Sequence, residues 1–170
     1  MPERQDPVAV LQSAHPEVSA ESGPEWLAEV GGVIEAIPYR WLYWPEIVQV
    51  RGAVFVDLHG AGRDTYDARL ASAVESGHPD RGGEAWTALV DSFNYFEVSE
   101  IFRRWGGPQA SLEDSQLALA ELLLEPWRAR LAQAAPDRRF RVAVAEPTPE
   151  LGVCVEVRQT SPALTPPAGW

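Results

Sequence analysis

Two valine-rich runs near the C-terminus constrain this chain more than any other feature. Phe140, Val142 and Val144 alternate with Arg141, Ala143 and Ala145, and Val153, Val155 and Val157 alternate with Cys154, Glu156 and Arg158. Successive strand side chains point to opposite faces, so each run reads as a strand with one valine face and one smaller or polar face. Between them lies Glu146-Pro147-Thr148-Pro149-Glu150, whose prolines cannot donate to a ladder, and the chain must turn there. A valine-faced antiparallel hairpin needs an apolar layer over it, so the remainder has to supply helices. Val142, Val144, Val153, Val155 and Val157 are expected in the core.

A second strand signal runs from Val48 to His59, where Val48, Val50, Val54, Val56 and Leu58 share one parity. Gly52 interrupts it, either as a bulge in one half-buried strand or as part of a tight Arg51-Gly52 turn joining strands 41–50 and 53–59. The hairpin is favoured, because Gly52 follows a polar residue and Trp41–Val50 is itself strand-like. Just before it stands the densest aromatic stretch, Tyr39-Arg40-Trp41-Leu42-Tyr43-Trp44, read as a strand or irregular segment that Pro45 ends.

Helical spacing marks the other elements. Trp26, Val30, Val33 and Ile37 predict one helix over 24–37, opened by Pro24 and stopped by Pro38. Gly31 and Gly32 weaken it by about 1 kcal/mol each relative to alanine. A short helix over 65–75 takes Asp64 as its cap and Tyr66, Leu70 and Val74 as its stripe, and 77–83 reads as a surface loop. A long helix follows from Glu84, with Trp86, Leu89, Val90, Phe93, Ile101 and Trp105 on its buried side and Gly106-Gly107-Pro108 as its stop. Its middle, Phe93–Val98, suits a strand equally well. Ser111 and Asp114 resemble a capping motif for a helix to about 133 carrying Leu117, Ala120, Leu124 and Trp127, in which Pro126 predicts a kink or a break. Residues 1–23 read as a partly ordered arm, 24–160 as one globular domain, and the proline-rich 161–170 as a disordered tail. The resulting fold class is α+β: a small antiparallel sheet of N-terminal strands plus the C-terminal hairpin, with helices packed on one face.

Charge narrows the function. Fourteen basic residues oppose twenty-five acidic ones in 170, a formal net charge of -11. Such a surface repels a phosphate backbone, and no basic patch overcomes it, since the densest run is Arg138, Arg139 and Arg141; a nucleic-acid partner is not expected. No apolar run reaches the roughly 20 residues of a membrane helix, and Met1-Pro2-Glu3-Arg4 does not resemble a signal peptide, which points to a reducing, cytoplasmic setting and no membrane partner. All fourteen basic residues are arginine. Lysine-dependent chemistry, from Schiff bases to phosphate loops, is thereby excluded. The lone Cys154 excludes an internal disulfide, and mid-strand among valines it reads as a small buried filler rather than a nucleophile.

Three groups of residues carry the candidate chemistry. Asp57 and His59 share a strand face just before His59-Gly60-Ala61-Gly62, the arrangement of a carboxylate orienting a histidine base. The alternative is a hydrogen-bonded strand end. No metal is expected, because His15 and His78 both fall in loops. Gly60 and Gly62 lack the third glycine of a nucleotide fingerprint, and Ser92 and Ser99 lack a Gly-x-Ser-x-Gly elbow, so neither cofactor nor serine chemistry is read here. Glu97, with Asn94 and Asp91 on a neighbouring stripe, lies among core candidates and either bonds a buried donor or faces a pocket. Trp41, Tyr43 and Trp44 either seal the core or anchor a partner, since tryptophan and tyrosine offer large contact area at low entropic cost.

The leading expectation is a small acidic protein-binding module with a basic protein partner, of the kind immunity or antitoxin proteins represent. Residues 1–84 hold fourteen acids and six arginines, residues 85–170 eleven and eight, so the acidic excess gathers in the half that holds the aromatic stretch. The rivals are a small hydrolase using Asp57 and His59, and a homo-oligomeric (for example homodimeric) structural or ligand-binding protein. Convergence of Asp57, His59, Asp64 and Glu97 on one cavity favours the enzyme; an acid-rimmed surface favours the binder.

Overall fold

A computed structural model describes residues 6–75, 82–102, 112–146, 148, 150–168 and 170. The order is α1 (Pro7–Ala14), α2 (Gly23–Val30), α3 (Val33–Ala36), α4 (Tyr39–Tyr43), β1 (Glu46–Val50), β2 (Ala53–Asp57), α5 (Gly62–Glu75), α6 (Gly83–Phe93), β3 (Tyr95–Glu97), α7 (Val98–Ile101), α8 (Glu113–Ala134), β4 (Arg139–Val144) and β5 (Cys154–Ser161). This is an α+β fold with antiparallel strands. They form two sheets, a β1-β2 hairpin and a three-stranded sheet of order β3-β5-β4, with the helices packed around them. Among the described residues no helix is long and apolar enough to cross a membrane.

The first hairpin turns at Arg51 and Gly52, both at positive φ (49° and 78°), the two-residue geometry whose twist matches antiparallel strands. Asp67 accepts from Arg51 Nε at 2.7 Å and holds the turn against α5. β2 is buried along its whole length rather than half-buried, because it divides two cores. Val54 and Val56 face the larger one, with Trp127 and Leu131 of α8 and Val142, Val155 and Val157 of the second sheet. Ala53 and Phe55 face the smaller one, with Tyr66, Leu70, Trp86 and Val90 of α5 and α6. The valine face of β4 and β5 lies as the alternation predicts: Val142, Val155 and Val157 are buried, and Val144 and Val153 pack against them.

Asn94 joins the two sheets. Its Nδ2 donates to the Val54 carbonyl at 2.8 Å and its Oδ1 accepts from the Val56 amide at 3.0 Å. Its own carbonyl accepts from the Val157 amide. The side-chain amide thus stands in for a peptide group on the free edge of β2, while the backbone extends the β5 ladder.

Several elements differ from the sequence reading. The predicted helix over 24–37 is two helices separated by extended Gly31 and Gly32, and a Cβ at Gly31 would collide with the Leu27 carbonyl. Only Trp26 of its apolar stripe is buried; Val30, Val33 and Ile37 are exposed. The aromatic stretch, read as strand or irregular, forms α4, because Trp127 Nε1 donates to the Leu42 carbonyl at 2.8 Å and fixes a helical turn on α8. Arg130 Nε donates to the Pro45 carbonyl at 2.9 Å and secures the same corner. The single helix from 84 is α6, β3 and α7, since pairing of Tyr95–Glu97 with Cys154–Glu156 outweighs helical continuity. α8 runs unbroken through Pro126; residues 122 and 126 both line a surface hollow, so the missing bond lies at solvent rather than in the core. The arm and the tail belong to the domain: α1 packs on α8, and Leu164 and Trp170 pack on the smaller core, with Trp170 edge-on to Trp86 at 5.0 Å. Prolines and small residues predict a tail with few contacts, but Trp170 supplies them. Trp105, His78, Ser111, the Gly106-Gly107-Pro108 stop and residues 77–81 of the expected loop lie outside the described residues.

Candidate functional site

Asp57 terminates β2 in the interior, where its carboxylate serves the loop that follows. Oδ1 accepts from the amides of His59 (3.3 Å) and Ala61 (3.0 Å), and Oδ2 from that of Gly62 (2.8 Å). Gly60 and Gly62, both at positive φ, wrap the backbone around it. Asp57 thus caps the start of α5, and its hydrogen bond to residue 59 is to the main chain rather than to the imidazole. The His59 ring is exposed, and among the described residues nothing orients it as a general base. The expected dyad is a loop cap beside a surface histidine.

Asn94 is likewise committed to the backbone bonds described above. Glu97 is half-buried at the end of β3, its Oε1 accepting from Ser99 Oγ at 2.8 Å and from the Gly152 amide at 3.4 Å. It lines a cleft of about 680 Å³ together with Leu58, His59, Asp91, Tyr95 and Glu156. Ala88, Phe96, Glu100, Ile101 and Arg158 are also among its lining residues. His59 and Glu97 therefore share a cavity, whereas Asp57 and Asp64 do not line it. On the floor Glu156, its side chain only 8% exposed, pairs with Arg158 at 2.8 Å and Arg141 at 3.5 Å. Asp91 sits 3.8 Å from the same Arg158; burial pushes its carboxyl above the usual carboxylate range, against the pull of Arg158 and with the push of Glu156. Burial likewise raises the Cys154 thiol, the opposite of what a nucleophile requires. Among the described residues no group of three His, Cys, Asp or Glu is placed to hold a metal.

Across His59 the character of the surface changes. A second cavity of about 740 Å³ is walled by Pro38, Tyr39, Trp41, Leu42 and Phe102, and shares Leu58, His59 and Ile101 with the cleft. Tyr39 stands edge-on to Phe102 at 6.4 Å. Tyr43 and Trp44 line two further hollows, one with Ile37 and Tyr39, the other with Leu122 and Pro126 of α8. α4 is thus an aromatic ridge with hollows on both flanks. Chemically the ridge is apolar and aromatic.

No known protein family, curated protein or solved structure matches this chain.

The structure separates the three aromatic candidates. Trp41 is exposed (48%), with the Arg40 guanidinium 5.9 Å from its ring centroid. Tyr43 and Trp44 are half-buried: Tyr43 packs on the larger core, and Arg130 lies 5.9 Å over the Trp44 ring. Sequence reasoning missed the residues preceding them. Leu27 (73%), Val33 (81%) and Ile34 (72%) stand in solvent, with Val30, Ile37 and Tyr39 also exposed. The available signal was the glycine pair, which breaks the stripe and releases its apolar side chains from the core.

Proposed function

We propose that this chain is a cytoplasmic protein-binding module that presents α2, α3 and α4 to a basic protein partner, in the manner of immunity or antitoxin proteins. One observation carries the reading: Leu27, Val30, Val33, Ile34, Ile37, Tyr39 and Trp41, consecutive large apolar residues of one segment, are all exposed. Scattered surface apolar residues are ordinary, but a concentrated run of them ending in tyrosine and tryptophan is the composition of an interface core. Glu25, Glu29 and Glu35 lie along the segment that carries the run, and Glu46 beyond it pairs with Arg40 at 3.7 Å and Arg130 at 3.6 Å. Those first three carboxylates and the net charge of -11 favour a basic partner, which long-range attraction steers to the face. The same carboxylates disfavour a second copy of this chain, because a two-fold interface would set like charges against each other.

The test is partner retention by the full chain and by Trp41→Ala and Ile34→Asp variants that melt at the wild-type temperature. Loss of the partner in both variants, with an association rate that falls steeply as salt rises, is the expected outcome. Equal retention by all three proteins overturns the reading.

A further inference from the structure

We infer that the partner docks through a short segment pairing one bulky apolar side chain, seated beside Trp41, with one arginine or lysine placed across His59 in the acidic cleft. The inference rests on the proposed function and names what that face selects. The two cavities have Leu58, His59 and Ile101 as common walls, so they are adjoining compartments of one groove. A segment filling one must extend over His59 to reach the other, which sets the two side chains within a few residues of each other.

The compartments differ in chemistry. Around Trp41 the walls are Pro38, Tyr39, Leu42 and Phe102, with Glu35 as the only carboxylate among the described lining residues. That compartment takes an aliphatic or aromatic side chain, which desolvates the exposed indole. Beyond His59 the described lining of the cleft carries the carboxylates of Asp91, Glu97 and Glu156 and the guanidinium of Arg158. Arg158 lies between Glu156 and Asp91, and Arg141 pairs with Glu156 as well, so among these side chains Glu97, which accepts from Ser99 Oγ and the Gly152 amide, is the carboxylate that faces the cleft with no ion pair among the described residues. Tyr95 and Phe96 supply apolar surface along which an arginine or lysine stem can lie while its head meets the acids. The apolar half provides affinity, and the acidic half provides discrimination, since a partly exposed ion pair contributes modestly but an opposing carboxylate is rejected.

The experiment selects a random twelve-residue peptide library on the immobilised full-length protein, with counter-selection on the Trp41→Ala variant. Enriched peptides are expected to carry arginine or lysine within about three positions of a leucine, isoleucine, phenylalanine or tryptophan. One such peptide, added to isotopically labelled protein, should shift the Trp41 indole resonance and the Tyr95 and Glu97 amides saturably. Replacing its basic residue by glutamine, or using the Asp91→Asn, Glu97→Gln protein, should each weaken binding about fivefold, and the two together no further. If the double variant does not fold, the glutamine peptide and the amide shifts decide alone. Peptides that shift Trp41 but carry no basic residue, or leave Tyr95 and Glu97 unmoved, overturn the inference and leave the protein-binding reading standing. If no peptide depends on Trp41, or if the free protein self-associates through that indole, both are lost.

Discussion

Asn94→Ala should cost this protein a large part of its stability, although it removes little apolar contact. β2 has a ladder partner on one side only, β1, and on its other side the Val54 carbonyl and Val56 amide are met by Asn94 alone among the described residues. Both valines are buried at the boundary of the larger core, where water cannot replace the lost partner. An orphaned buried backbone group costs about 1–3 kcal/mol, so two cost about 2–6 kcal/mol, against the 5–15 kcal/mol total of an ordinary domain. Asn94→Asp separates the two bonds: a carboxylate still accepts from Val56 but cannot donate to Val54, and it adds a charge at a buried position. Alanine and aspartate variants should therefore both lower the urea midpoint, and the Val56 amide should lose hydrogen-exchange protection in the alanine variant. The Asn94 carbonyl bond to Val157 is main-chain and survives both substitutions. A loss below about 1 kcal/mol for Asn94→Ala, with Val56 still protected, would refute the view that this side chain joins the sheets.

The remaining expectations concern other parts of the fold. Deleting residues 162–170, or Trp170→Ala, should lower stability by about 1–3 kcal/mol, the scale of a half-buried aromatic and its ring contact with Trp86; an unchanged melting temperature would show that the tail is not docked. Val155→Asp should prevent stable folding, because it sets an unpaired carboxylate at a fully buried position; near-wild-type denaturation would overturn the face assignment of the hairpin. The amides of Glu21 (2.9 Å) and Ser22 (3.0 Å) donate to the Glu25 carboxylate and hold it below the usual carboxylate range. A carboxyl depressed on folding contributes stability above its unfolded value and loses it as pH falls through the lower folded value. Helicity of α2 should accordingly decline in acid, and a Glu25 carboxyl that titrates at or above the ordinary value by NMR would contradict the cap.

What the sequence made legible was whatever local pattern decided. The C-terminal hairpin combines an unbroken period of two with prolines at its turn, and both signals agree with the packing. Arg51-Gly52 was legible for the same reason. The misses share a non-local cause. α4 reads as a strand by its aromatics, and is helical because Trp127, 85 residues away, donates to Leu42. β3 is three residues long and exists through its pairing with β5. At Asp57 the spacing to His59 suggests a catalytic pair, but the deciding groups are backbone amides that carry no sequence signal. An aspartate just before Gly-x-Gly and a helix start is the clue that favours a cap. The apolar stripe over 24–37 is real as a pattern, yet most of it meets solvent. The proposed binding face rests on this conflict between local pattern and packing.

The most direct measurement of the central claim is photo-crosslinking in the cells that make the protein, with a benzophenone amino acid in place of Trp41 and, separately, of Thr160, an exposed residue at the far end of β5 that lines none of the hollows around α4. One discrete basic protein joined at position 41, absent at position 160 and lost when Ile34 is changed to aspartate, is the result this account expects. No adduct at position 41, or the same adduct at both positions, would contradict it.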